Sequence, residues 1–323
     1  MRKCGVFPTF VPYKAYAKNI FQAYYMTRYI HFLLIITAIF LGAPKSVAQS
    51  TAQPYFPVPL VPDSLQTLQQ RSDYLVEHFW DFCDFKKAFS SKPKMAESFN
   101  TYLSFMPYAT PEVSRASVGR LLKTLEKQPN DLLFIAREAE NSLFTDSAEF
   151  AGEDMYLLFA QAVAQNKKID RASRARFVRH AELLENNRVG KKAPDFIYMD
   201  RFGQTRHFDA DTAKVVVLMI SDPDCEDCHM ARIRLNADIN ATKLIDKGIM
   251  KVVCISPVEW TPEWRDEVKN YPEKWVVGAS DTFDDKYNFF NTPSFYLINN
   301  DHVIRVKNTD IESVLNVMYR LTH

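Results

Sequence analysis

The chain has 323 residues, 47% apolar and 24% charged, with 40 Lys plus Arg against 39 Asp plus Glu. These proportions exclude wholesale disorder and a polytopic membrane protein, and a formal charge of +1 offers no basic excess for nucleic acid. Only 8 glycines occur, and neither G-x-G-x-x-G nor G-x-x-x-x-G-K-S/T can be written from them, which leaves dinucleotide and P-loop readings unsupported. At about 150 residues per domain, the length predicts two domains.

Residues 32–42, Phe-Leu-Leu-Ile-Ile-Thr-Ala-Ile-Phe-Leu-Gly, form an apolar run. It is shorter than the roughly 20 residues of a membrane span. Arg28 precedes it, and Ser46-Val47-Ala48 follows as an A-x-A-like cleavage signal. Residues 1–48 therefore read as a secretory signal peptide, with Met26 as an alternative start and an uncleaved anchor as the competing reading. Cleavage removes six basic residues and no acid, leaving a net charge of −5 on a soluble, exported, periplasmic chain with no stable membrane span. Residues 49–61, rich in proline and polar side chains, read as a linker.

From 62 to 187 the patterning is helical. Asp63 can cap a helix reaching Cys83, which follows Leu75, Phe79 and Phe82 on one face and reads as a buried core thiol. Thr110-Pro111-Glu112 combines a capping residue, a first-turn proline and an acid, and Val118, Leu121, Leu122 and Leu125 make an apolar stripe. Further helices are expected from Asn130, over 152–165 and over 170–185, giving a bundle of five or six. Lys167, Lys168, Arg171, Arg174, Arg176 and Arg179 make a basic segment, read either as a solvated face or as a docking surface for an acidic partner. His78 and Trp80 lie in an aromatic stretch and read as packing residues.

At Gly190 the pattern changes to short apolar runs alternating with helical stretches. Ala193-Pro194-Asp195-Phe196 leads into a strand, and Asp200-Arg201-Phe202-Gly203 reads as a hairpin turn. Buried strands are expected over 215–220 and 251–256, the second containing Cys254 as a core thiol. Helices are expected over 225–247, 262–270 and 310–321, and a hairpin over 294–299 and 302–307. The fold class is thus an all-α bundle over 62–187 followed by an α/β domain over 188–323.

Four cysteines outlast the signal, enough for two disulfides, but Cys83 and Cys254 sit in apolar patterns. Cys225 and Cys228 differ: Asp224-Cys225-Glu226-Asp227-Cys228-His229 follows a buried strand and opens a helix. The free N–H groups and dipole at a helix N-terminus favour an anion, so the first thiol can ionise, and the thiolate is the nucleophile. The second cysteine lies one turn inward, close enough to attack a mixed disulfide. A strand–CxxC–helix order in an α/β domain is a redox signature. Far downstream, Thr292-Pro293 enters the apolar run 294–298, where a proline must begin the strand or bound a turn.

The combination resembles the thioredoxin superfamily. Residues 188–323 are similar to TlpA/ResA-like periplasmic thiol–disulfide oxidoreductase domains through Gly190, Ala193-Pro194-Asp195-Phe196, Asp200 with Gly203, Cys225-Glu226-Asp227-Cys228, and Tyr287 with Thr292-Pro293. The helical region resembles an uncharacterised domain fused to such modules in exported bacterial proteins. The resemblance implies Cys225 as attacking thiol, Cys228 as resolving thiol, and Thr292 with a cis Pro293 as the substrate-binding element. It implies protein disulfides as substrates, a membrane-borne electron donor, and no cofactor or metal. The chain departs from the family by Asp224, where many members have Trp, and by Glu-Asp between the cysteines. No buried carboxylate is evident in Val215–Ile220.

Three other chemistries can be written on the same residues. Cys225-x-x-Cys228-His229 spells a c-type haem attachment motif, although the proline–strand element has no role in it. Structural zinc needs four ligands, and the chain has one CxxC. A peroxiredoxin would have Thr or Ser and Pro where Asp222 and Leu218 stand. A non-enzymatic binding module could keep the fold and use the pair as a structural disulfide. Trp260 and Trp264 follow the second buried strand, as packing residues or substrate contacts.

Overall fold

The computed structural model describes residues 56–145, 148, 150, 152–210 and 212–323. The signal peptide expected over 1–48 lies outside the described residues, as do residues 49–55 of the linker. Residues 56–61 form neither helix nor strand, yet Phe56 is buried, with its ring 5.7 Å from Phe79 and 5.5 Å from Trp80. Residues 54–323 form one compact unit.

Seven helices follow: α1 (Leu68–His78), α2 (Phe85–Ala88), α3 (Lys92–Phe105), α4 (Pro111–Leu125), α5 (Pro129–Leu143), α6 (Glu153–Gln165) and α7 (Arg171–Asn186). Four of these starts, those of α1, α2, α4 and α7, are set by side chains that accept otherwise unpaired amide protons, each contributing about 1 kcal/mol. Thr110 accepts from Val113 N–H and Asp170 from Ser173 N–H. The expected stripe on α4 is the buried one: Val118, Leu121 and Leu125 are inside.

The first helix is shorter than the patterning predicts. Thr67, not Asp63, caps it, in a reciprocal capping box with Gln70, and it ends at His78. Phe82 is consequently exposed and Cys83 only half-buried. The break has a local cause: Asp84 bonds the Lys87 amide and starts α2, an alternative to continuing the first helix. The rings of Phe79, Trp80, Phe85 and Tyr102 close over the turn. In the basic segment, Arg176 pairs with Glu140 at 2.9 Å and Arg174 donates to the Ala164 carbonyl, so two of its six cations bind their own fold.

The remainder is a seven-stranded mixed sheet, order β2-β1-β5-β4-β3-β6-β7. The strands are β1 (Ile197–Asp200), β2 (Thr205–His207), β3 (Val215–Ile220), β4 (Met250–Ser256), β5 (Val276–Ala279), β6 (Ser294–Asn299) and β7 (Ile304–Thr309). β3, β4 and β5 are parallel neighbours, and β6 runs antiparallel to β3. Alternation along the strands divides the core. Val217, Met219, Val252, Cys254, Phe295 and Leu297 face a cluster that includes side chains of α8 (Glu226–Ala237), α9 (Ile239–Asp246), α10 (Pro262–Val268) and α11 (Ile311–Thr322). Leu218, Ile220, Val253, Ile255, Tyr296 and Ile298 face the other way, toward Phe196, Phe208, Phe283 and Tyr287.

Two expectations need correction here. The helix expected over 225–247 is two helices, because Asp238 takes an extended conformation and caps α9 by accepting from Ala241 N–H at 2.7 Å. The fifth strand was not predicted: Val276-Val277-Gly278-Ala279 is short and carries a glycine, which weakens a strand signal. That glycine has a reason. A Cβ at Gly278 would lie 2.3 Å from Tyr198 Cδ2 and 3.0 Å from the Met199 carbonyl on the paired β1. Gly278→Ala therefore overpacks the β1–β5 seam and should destabilise by about 1–3 kcal/mol, read as a lower urea midpoint with unchanged slope.

Candidate active site

Cys225 is the residue before α8, and its sulfur is the helix cap. Cys228 N–H donates to Cys225 Sγ at 3.2 Å, which holds the sulfur over the helix N-terminus. The Cys225 thiol in turn donates to the Thr292 carbonyl at 3.5 Å, and the Thr292–Pro293 peptide bond is cis. The fold thus brings Cys225, Cys228, Thr292 and Pro293 to one place from segments more than 60 residues apart.

The two sulfurs have different surroundings. Both are free thiols; Cys225 is half-buried, whereas Cys228 is 1% exposed. Burial first, then the adjoining Cys225 sulfur, push the Cys228 thiol up to about 11. The Asp222 backbone and Thr292 oppose them, and no carboxylate is among the groups that shift it. Behind the pair lie Cys254, pushed up to about 12 chiefly by burial, and the buried Ser221 hydroxyl beside it. Burial likewise raises Tyr271 to about 12, and the Arg232 guanidinium stacks 3.9 Å from its ring centroid. Ser221 and Tyr271 were missed by sequence reasoning. The one available signal was a serine directly after a six-residue apolar strand.

Asp224, Glu226 and Asp227 are exposed around the pair, with Asp222 half-buried. The nearby bases are engaged: Arg234 pairs with Glu312 at 2.6 Å, and Arg232 contacts Tyr271 and His229 Nδ1. Trp260 and Trp264 pack. Trp260 Nε1–H donates to the Asp200 carbonyl at 3.0 Å, against the β1–β2 turn, and Trp264 is buried in the core. Haem attachment through both sulfurs fits poorly with a buried Cys228. Among the described residues no group of three His, Cys, Asp or Glu could hold a metal ion, and no helix is long and apolar enough to cross a membrane.

Comparison with known proteins bears on the whole chain. A family model described as a domain of unknown function, DUF5106, matches residues 41–187. No curated protein matches. A thioredoxin-like protein from Bacteroides caccae is similar in structure at 20% identity, over 82% of this chain and 98% of its own, with a TM-score of 0.67. A conserved protein of unknown function from Bacteroides fragilis shares 25% identity over 41% of this chain and 99% of its own, with a TM-score of 0.39. The thioredoxin domain of a thiol-disulfide oxidoreductase from Bacteroides vulgatus shares 19% identity over 42% of this chain and 99% of its own, with a TM-score of 0.37. The first likeness covers more than the sheet region alone, and it shows the fold: helices followed by a thioredoxin-like α/β sheet.

The burial difference sets an order of reactivity. Burial holds the Cys228 thiol protonated where an exposed thiol would begin to ionise. Iodoacetamide should label Cys225 first in the reduced protein. Cys228 and Cys254 should follow only in denaturant, as should Cys83, raised to about 12 by burial and then Asp84. Peptide mass mapping reads the order, and prior labelling of Cys228 would reverse the two roles.

Proposed function

We propose that this protein is an exported thiol–disulfide oxidoreductase of the TlpA/ResA-like kind, a reductant of protein disulfides acting through Cys225 and Cys228. The observation that carries the reading is the Cys225 sulfur at the N-terminus of α8, capped by the Cys228 amide and accessible while Cys228 is not. Residues 1–48 direct export, and 62–187 and 188–323 are its two domains.

The Cys225 thiolate attacks one sulfur of a client disulfide. A Cys225–client disulfide forms as the client S–S bond breaks, and the leaving client thiolate takes up a proton. Cys228 then loses its proton and attacks Cys225 Sγ, closing the Cys225–Cys228 disulfide and releasing the second client thiol. The client gains two electrons and two protons, and the pair loses them. Thr292 and Pro293 receive the client backbone beside the reacting sulfurs. A membrane-borne dithiol donor returns the electrons.

The direction of transfer follows from charge. A reduced form stabilised as thiolate makes an oxidant; a poorly stabilised one makes a reductant. Asp222, Asp224, Glu226 and Asp227 each disfavour a nearby thiolate when ionised. Of the bases that oppose them, His229, Arg232 and Arg234, the two arginines lie against Tyr271 and Glu312. In a glutathione redox series the midpoint should lie near −270 mV, as in thioredoxin, rather than near −120 mV. A value above about −180 mV, typical of a disulfide isomerase, contradicts a reductant.

Cys228→Ser should halt the reaction at the mixed disulfide, so that clients accumulate covalently on Cys225 in the exporting cell and are released by dithiothreitol. Reduced wild-type protein that passes no electrons to any peptide disulfide would leave a binding module in place of an enzyme.

A further inference from the structure

The helical region converges on one segment of the sheet region. Residues 286–293 form neither helix nor strand. Asn187, at the end of α7, donates from Nδ2 to the Lys286 carbonyl at 2.6 Å. Phe290 packs on the helical core, its ring 5.3 Å from that of Phe144. The strongest tie is Glu153, the first residue of α6. Its Oε1 accepts from Asn288 Nδ2 at 2.5 Å and from Asn308 Nδ2 at 2.8 Å, and its Oε2 accepts from Lys307 Nζ. The Glu153 and Lys307 side chains are 16% and 17% exposed, so this pair is largely withdrawn from solvent screening.

Asn308 is aimed by an irregularity. Phe295 faces Thr309 while Leu297 faces Val306, so β7 carries an extra residue, and Asn308 takes φ +48. Such bulges redirect side chains, and asparagine tolerates this left-handed conformation. Its Oδ1 accepts from the Ser294 hydroxyl at 3.3 Å, one residue beyond Pro293. Asn288 is fixed from its other end, its carbonyl accepting from Tyr296 O–H at 2.5 Å. The segment these contacts bracket carries the Thr292 carbonyl, 3.5 Å from Cys225 Sγ.

We infer that Glu153 is a positioning residue for the thiol site: through Asn288 and Asn308 it fixes the Thr292–Pro293 segment against Cys225, so that the helical region sets how a client disulfide is held. This rests on the exchange activity proposed above. The converging contacts predict an effect on client binding more than on the chemical step, because neither Glu153 nor Asn308 touches a sulfur.

The test uses the full chain with Glu153→Ala, Asn308→Gly and both together. Asn308→Gly keeps the positive φ accessible and leaves the Glu153–Lys307 pair in place. Each single variant should raise KM for a peptide disulfide about tenfold, within the usual range of coupling between sites, with kcat little changed. The double variant should be no worse than Glu153→Ala, as expected for residues acting in one chain of contacts. Amide hydrogen exchange should accelerate at residues 288–294 and stay unchanged in α8 to α11. An unchanged KM, additive losses, or exchange that quickens throughout the sheet region overturns the inference. Should Glu153→Ala not fold, Asn308→Gly decides alone. Should the wild type reduce no disulfide, the exchange reading fails on its own. Hydrogen exchange then still decides the positioning role, upheld by acceleration confined to 288–294 and overturned by none.

Discussion

The amide of Cys228 belongs to the first turn of α8 and has no carbonyl partner within its own helix. In most helices of this protein an oxygen fills that place, as Thr67, Thr110, Asp170 and Asp310 do. At α8 a sulfur does. The substitution makes one contact serve two ends. It starts the helix that covers β3 and β4, and it holds a thiol where the helix dipole favours negative charge. Cys228 is deep for a separate reason: it shares the buried face of α8 with Ala231 and Leu235.

The residues between the cysteines act on the helix they open. Glu226 and Asp227 occupy the first turn of α8, where acids stabilise a helix by about 0.3–1 kcal/mol each. The same two side chains lie exposed between the cysteines. The neighbouring cations make contacts of their own: Arg232 lies against Tyr271, and Arg234 reaches across to Glu312 on α11. The first turn of α8 thus carries two acids beside a sulfur cap.

Much of this was legible in the residues. The runs 215–220 and 294–299 are strands with the expected bounds, because continuous apolar stretches leave little choice of register between two covered faces. Cys225, Cys228, Thr292 and Pro293 were named from spacing and resemblance, and the fold brings them together. What could not be read was decided by tertiary geometry. Gly278 looks like a strand breaker until Tyr198 is seen over it. Asp238 looks like one polar residue within a helix, yet it ends one and begins another. Phe82 fits a helical stripe that the turn at Trp80 removes. Glu153 carries no motif at all, since its three partners lie 135 to 155 residues away.

That last case ties the helical region to this sheet. The segment entering β6 must leave regular hydrogen bonding to bring a carbonyl beside a sulfur, and Pro293 has no amide to donate. Polar groups that leave a ladder need other partners or exposure to water. Here the helical region provides one for the backbone, Asn187 for the Lys286 carbonyl, and Glu153 holds the Asn288 side-chain amide and, through Asn308, the Ser294 hydroxyl. Phe144 supplies the apolar backing for Phe290. An irregular segment held from outside at three points keeps a defined shape without belonging to the sheet. The irregular segment beside Cys225 and the helices that precede it in the chain are therefore parts of one arrangement.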